Sequence, residues 1–119
     1  MPERSVKLQI AMRNRRLRVV IFQEGEWLCA HGLEYDFAAQ AKSLRELRYE
    51  LERMIAGQIA ISLKHGLRPF QNVGRAPEKY WMMFRRSKIS LPSQKFGFRI
   101  KKRGITVPIP EIRVAALVA

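Results

Sequence analysis

Ser43-Leu44-Arg45-Glu46-Leu47-Arg48-Tyr49-Glu50-Leu51-Glu52-Arg53-Met54-Ile55-Ala56-Gly57-Gln58-Ile59-Ala60-Ile61-Ser62-Leu63-Lys64 is the stretch that decides the fold. It opens with a capping box, serine at the N-cap and glutamate three residues on, each able to satisfy a backbone N–H of the first turn. Leu44, Leu47, Leu51, Met54, Ile55, Ile59 and Ser62 then recur at three- and four-residue spacing, which draws one apolar stripe along a helix. Gly66 follows where a left-handed C-cap glycine belongs. Arginine and glutamate mix on the opposite face, the pattern of a solvated surface. A helix with one such stripe needs a sheet to cover it.

Working outward, the sheet is found upstream. Leu17 to Gln23 is β-branched and reads as a strand; Glu24-Gly25-Glu26 is a short turn with glycine where a hairpin wants it; Trp27 to Leu33 reads as the returning strand. Phe37 to Lys42 gives a third strand, although its alanines suit a helix as well. Downstream, Leu67 to Ala76 is a loop carrying Pro69 and Gly74. Pro77 fits the first turn of a short helix over Glu78 to Arg86, with Tyr80, Trp81 and Phe84 on one face. In Gln94 to Arg103, the residues Phe96, Phe98 and Ile100 alternate with Lys95, Gly97, Arg99 and Lys101, predicting a fourth strand with one apolar and one basic face. The expected class is α/β (α+β), in the order β-β-β-α-β with a short second helix. Residues 1–103 are expected as one domain with a basic N-terminal segment. Residues 104–119 are expected as a Pro-containing apolar tail that docks on the body or on a second subunit, giving a possible homodimer.

Size and composition narrow the function. The chain has 119 residues, 47% of them hydrophobic, enough for one core and too few for separate catalytic and recognition domains. No run reaches the roughly 18 apolar residues that a membrane span needs. No secretory h-region stands at the N-terminus, so a cytoplasmic location is the default expectation. The single cysteine, Cys29, rules out an internal disulfide and reads as a small core residue.

The acids do not converge on a metal site. Glu34 and Asp36 alternate at a turn, where carboxylates are commonly turn formers, and neither histidine completes a ligand set with them. His31 on a strand and His65 near a helix end read as structural residues. Glycines form no phosphate-cradling loop. The expectation is a non-catalytic binding protein with no cofactor.

The net charge is +13, and its distribution is uneven. Residues 1–23 hold six Lys/Arg against one acid, residues 24–66 five against seven, and residues 67–119 twelve against two. Three clusters stand out: Arg13, Arg15, Arg16 and Arg18 before and at the first strand; Arg85, Arg86 and Lys88 after the aromatic helix; Arg99, Lys101, Lys102 and Arg103 along or past the fourth strand. Clustered cations favour phosphate-rich partners by counterion release, so nucleic acid, DNA or RNA, is the expected ligand of these residues.

The succession of elements resembles the HicB-like antitoxin family, in particular its short, poorly characterised members. The residues that carry the resemblance are Val19 to Gln23, Gly25-Glu26-Trp27, Leu33-Glu34-Tyr35-Asp36, Ala39-Gln40-Ala41-Lys42-Ser43-Leu44, the helix to Ile61, and then Arg68-Pro69-Phe70, Arg75-Ala76-Pro77 and Trp81. They span roughly residues 17 to 87. The resemblance implies a partial ribonuclease-H-like fold without that enzyme's metal-binding carboxylates. It also implies that the fourth strand pairs beside the first, which would bring the first and third basic clusters to one sheet edge. As an alternative to nucleic acid, it implies an antitoxin-type module that neutralises a small ribonuclease toxin. The sixteen residues after Arg103 do not read as the helix-turn-helix or ribbon-helix-helix segment that many members carry.

Overall fold

A computed structural model describes residues 17–67, 70, 73–91, 101–102, 105–106 and 111–115, with residues 101–102 and 105–106 described by their backbone alone. The class is α+β. Strands β1 (Arg18–Glu24), β2 (Trp27–Gly32) and β3 (Ala38–Ala41) form an antiparallel meander, followed by α1 (Leu44–Lys64), α2 (Glu78–Arg86) and β4 (Ile89–Leu91). Three further short strands are β5 (Lys101–Lys102), β6 (Ile105–Thr106) and β7 (Glu111–Val114). The main sheet is five-stranded and mixed, in the order β3-β2-β1-β7-β4, with β1 at its centre. β7 lies parallel to β1, Arg18 facing Glu111 and Ile21 facing Val114, and β4 lies antiparallel to β7.

Local chemistry accounts for the early elements. Glu24 pairs with Trp27 across a two-residue turn in which Gly25 takes φ +61°, a conformation that glycine adopts without strain. Gly32 is required for space. A Cβ there would run into the Phe37 ring and lie 2.6 Å from the Tyr35 carbonyl, where the chain folds back so that Gly32 N–H donates to Phe37 C=O. The serine of the capping box acts as expected, its hydroxyl accepting from the Glu46 N–H at 3.2 Å. At the other end His65 caps the helix with N–H bonds to the last turn, and Gly66 takes φ +67°.

The central strand is buried on both faces. Val19 and Ile21 point to one side, into a cluster with Ala30, Ala41, Leu47, Leu51, Ile55, Ile59, Phe70 and Ile112. Val20 points to the other, into a cluster with Leu33, Ala76, Trp81 and Phe84. Alternation along β1 therefore sets α1 over one face and α2 over the other. The α1 row Leu47, Leu51, Ile55, Ile59 is fully buried, each side chain contributing roughly 1.5–3 kcal/mol of transfer free energy. Leu44, expected in that stripe, is 43% exposed, because it starts the helix a turn before the first residue the sheet covers.

Two expectations for the C-terminal third need correction. The strand beside β1 is Glu111–Val114, from the segment expected as a tail, and not Gln94 to Arg103. Lys101–Lys102 instead pair with Ile105–Thr106 in a separate two-stranded sheet, while residues 94–100 lie outside the described residues. The reason is in the alternation Glu111-Ile112-Arg113-Val114. It supplies a buried Ile112 for the α1 face. Ile89–Leu91 is the edge strand next to it.

Candidate nucleic-acid interface

The sheet gathers chain ends. β1 and β7 are parallel and in register at Arg18 and Glu111, so residues 1–16 and 107–110 join neighbouring strands at the same end. Glu111 N–H donates to Leu17 C=O at 2.9 Å, which ties the starts of both strands together. β4 runs the other way with Leu91 opposite Ile112, so residue 92 also leaves from that end. The loop before α2 is anchored nearby, through Ala76 N–H to Leu33 C=O at 3.0 Å and Leu33 N–H to Arg18 C=O at 2.9 Å.

Charge is divided along the same boundary. Residues whose side chains are described hold twelve Lys/Arg against nine Asp/Glu, a net +3; the remainder of the chain holds eleven against one, a net +10. The near-balanced body attaches to strongly cationic segments at one end of its sheet.

Within the body most cations near that end already have partners. Arg18 Nε contacts Glu34 Oε2 at 2.5 Å, and its backbone N–H donates to Glu34 Oε1 at 2.8 Å. The guanidinium lies 4.8 Å from the Trp81 ring centre. Arg75 stacks on the same indole at 4.1 Å and reaches Glu78 at 3.4 Å. Arg113 lies over Phe84 at 4.4 Å, donates to the Phe84 carbonyl at 3.3 Å and sits 3.5 Å from Glu111. Arg85 also pairs with Glu78, and this hydrogen bond, with the charges of Arg85 and Arg75, holds the Glu78 carboxyl below its ordinary pKa. Arg75 and Arg113 are not among the basic clusters read from the sequence. Arg75 flanks the aromatic helix and Arg113 alternates with the buried Ile112, but the rings they stack on are close only in the fold.

The sequence-derived cations therefore fall into three groups. Arg18 and Arg85 are engaged by the protein's own carboxylates. Arg86 and Lys88 are exposed and have no ion-pair partner among the described residues. They precede β4 at the Val114 end of β7, about 10 Å along the strands from the Leu17 end. Arg13, Arg15, Arg16, Arg99 and Arg103 lie outside the described residues, as do the side chains of Lys101 and Lys102.

The groups weighed for chemistry are used structurally. Glu34 and Asp36 serve different partners, since Asp36 Oδ1 lies 2.5 Å from His31 Nε2 while Glu34 takes Arg18. His31 is stacked on Tyr80, with ring centres 3.7 Å apart and planes 8° from parallel. Cys29 shares that sheet face two residues away, but burial, followed by the nearby Glu24 charge, pushes its thiol pKa up, opposite to what a nucleophile needs. Among the described residues no three His, Cys, Asp or Glu side chains gather as a metal site, and no helix is long and apolar enough to cross a membrane.

A surface cavity of about 760 Å³ lies at the start of α1, lined in part by Trp27, Lys42, Arg45, Arg48 and Tyr49. Lys42 there is 4.0 Å from the Trp27 ring and 3.3 Å from Glu26. This cavity is at the hairpin end of β1, away from the end where the basic segments attach.

Comparison with known proteins gave no match to any family model, to any curated protein or to any solved structure.

Proposed function

We propose that this is a non-catalytic nucleic-acid-binding protein of the HicB-like kind, whose basic segments act together because they meet the body at one end of its sheet. The observation that carries the reading is the register of β1, β7 and β4, which sets Leu17, Leu91 and Glu111 at a common end, while nine of the thirteen excess charges lie in residues 1–16 and 92–110, the segments that join there. Cations concentrated in this way neutralise neighbouring phosphates, and phosphate contact supplies affinity independent of sequence. The HicB-like assignment is supported by the β1-β2-β3-α1 succession and by a strand beside β1, the position filled here by β7.

The test is titration of labelled RNA and DNA oligonucleotides with the full chain over a range of salt. Affinity is expected to fall steeply between about 50 and 200 mM salt. Changing Arg15, Arg16, Lys101 and Lys102 to alanine should lower the log–log salt slope by about 3 to 4, roughly one unit for each phosphate no longer neutralised. Changing Arg45 and Arg53 on the outer face of α1 should leave it unaltered. Binding that is insensitive to salt, or untouched by the fourfold variant, would overturn the proposal. Salt-insensitive capture of a small ribonuclease instead would favour the antitoxin reading.

A further inference from the structure

Charge is uneven within the described residues themselves. Those of 75–91 and 111–115, which make up α2, β4, β7 and the loop before α2, hold six Lys/Arg against two acids, a net +4. The other described side chains hold six against seven, a net −1. Part of the cationic side is committed, since Arg75 and Arg85 hold Glu78 and Arg113 sits beside Glu111. Lys79, Arg86 and Lys88 are exposed and reach no carboxylate among the described residues, although Lys79 Nζ lies 4.9 Å from the Tyr80 ring centre. Trp81 and Phe84 turn inward with Val20, which puts Lys79, Met82 and Arg86, three and four residues apart, on the solvent side of α2. Lys88 follows just past the helix end. The outward face of α2 is thus a row of free cations.

Aromatic rings do not accompany this row. The exposed Trp27 and Tyr49 lie at the hairpin end beside the start of α1, each with a cation over it, Lys42 at 4.0 Å and Arg53 at 5.9 Å. On the α2 side, Trp81 and Phe84 are buried beneath Arg18, Arg75 and Arg113, and the half-buried Tyr80 is stacked on His31. A single strand is held by cations interleaved with rings on which its bases stack. A duplex keeps its bases stacked on one another and presents two phosphate backbones, which cations alone can contact.

We infer that the nucleic-acid ligand is double-stranded and that α2 lies across one of its grooves, with Lys79 and Arg86 on the two bordering backbones and Lys88 beside Arg86. This rests on the nucleic-acid reading above and deepens it, because the folded body then contacts the ligand as well as the basic segments. Lys79 and Arg86 are seven residues apart, about 10.5 Å along the helix axis, and long side chains at that spacing span a groove about 12 Å wide. Glu78, the acid on the flank of this face, is neutralised by Arg85 and Arg75 and leaves the row cationic.

The test is titration of the full chain with duplex DNA, duplex RNA and the matching single strands over a range of salt. At least one duplex should bind about tenfold more tightly than its single strands, and the tighter duplex names the source. Changing Lys79, Arg86 and Lys88 together to alanine should lower the log–log salt slope on that duplex by about 2 to 3. Thermal melting should be unchanged, because all three side chains are exposed. Single strands bound as tightly as the duplexes would overturn the inference. So would a triple variant with the wild-type slope, and in both cases the nucleic-acid reading stands. Salt-insensitive binding of duplexes and single strands alike, or no binding of either, removes that reading and the inference with it.

Discussion

On one face of β1, Val19 and Ile21 meet Leu47, Leu51, Ile55 and Ile59 of α1 in a cluster of buried apolar side chains. On the other, Val20 meets Trp81 and Phe84 of α2, and three arginines from distant parts of the chain, Arg18, Arg75 and Arg113, lie over those two rings. Each of the three reaches a carboxylate, Glu34, Glu78 (shared with Arg85) and Glu111 respectively. The first face is held by area and close packing. The second uses the long arginine stems as apolar cover while the heads keep their charge partners. For function this means that a basic protein's arginines are not interchangeable, since those on the α2 face are occupied in holding the helix down.

The two faces should therefore respond differently to substitution. Leu51→Ala should have the largest effect, about 2–5 kcal/mol in chemical denaturation, because it opens a cavity in a row with no exposed member. That cost should hardly change with salt. Arg18→Met keeps most of the stem and removes both the ion pair with Glu34 and the charge over Trp81. With the pair's side chains 25% and 19% exposed, the loss should be about 1–2 kcal/mol and should shrink as salt rises. Equal salt dependence for the two variants, measured by parallel urea titrations, would show that the α2 face is held by packing alone.

The same contrast explains which parts of the fold were legible in the sequence. The α1 face announces itself because its signals are local: Ser43 and Glu46 start the helix, four-residue spacing marks the buried row, and Gly66 ends it. The β1–β2 hairpin is equally local, with Gly25 at its turn. β7 is not, because its four residues become a strand by lying parallel to β1, more than ninety residues away in sequence, and no nearby turn signals that pairing. Reading 94–103 as the strand beside β1 followed the stronger alternation, Phe96-Gly97-Phe98-Arg99-Ile100, whereas β1 takes the shorter one that carries Ile112. The basic clusters could be counted from sequence, but their division into engaged and free cations could not. Arg18 and Arg85 differ from Arg86 and Lys88 only by which carboxylates the fold brings near.

The smallest effect is the most discriminating, because it isolates charge on the α2 face from packing. Glu78 is exposed, yet the hydrogen bond from Arg85, with the nearby Arg75, lowers its pKa in the folded protein. A carboxyl whose pKa is lower folded than unfolded adds stability above its unfolded value, and that contribution disappears as pH falls through the folded value. Glu78→Gln removes this contribution at every pH and changes little else. The wild type should therefore melt slightly above the variant at neutral pH, and the two melting temperatures should converge as the solution is acidified through and below the carboxylate range. A gap that stayed constant down to the acid limit would mean that Glu78 acts through its shape and neutral hydrogen bonds. The arginines of this face would then be held by their rings, with the carboxylates incidental.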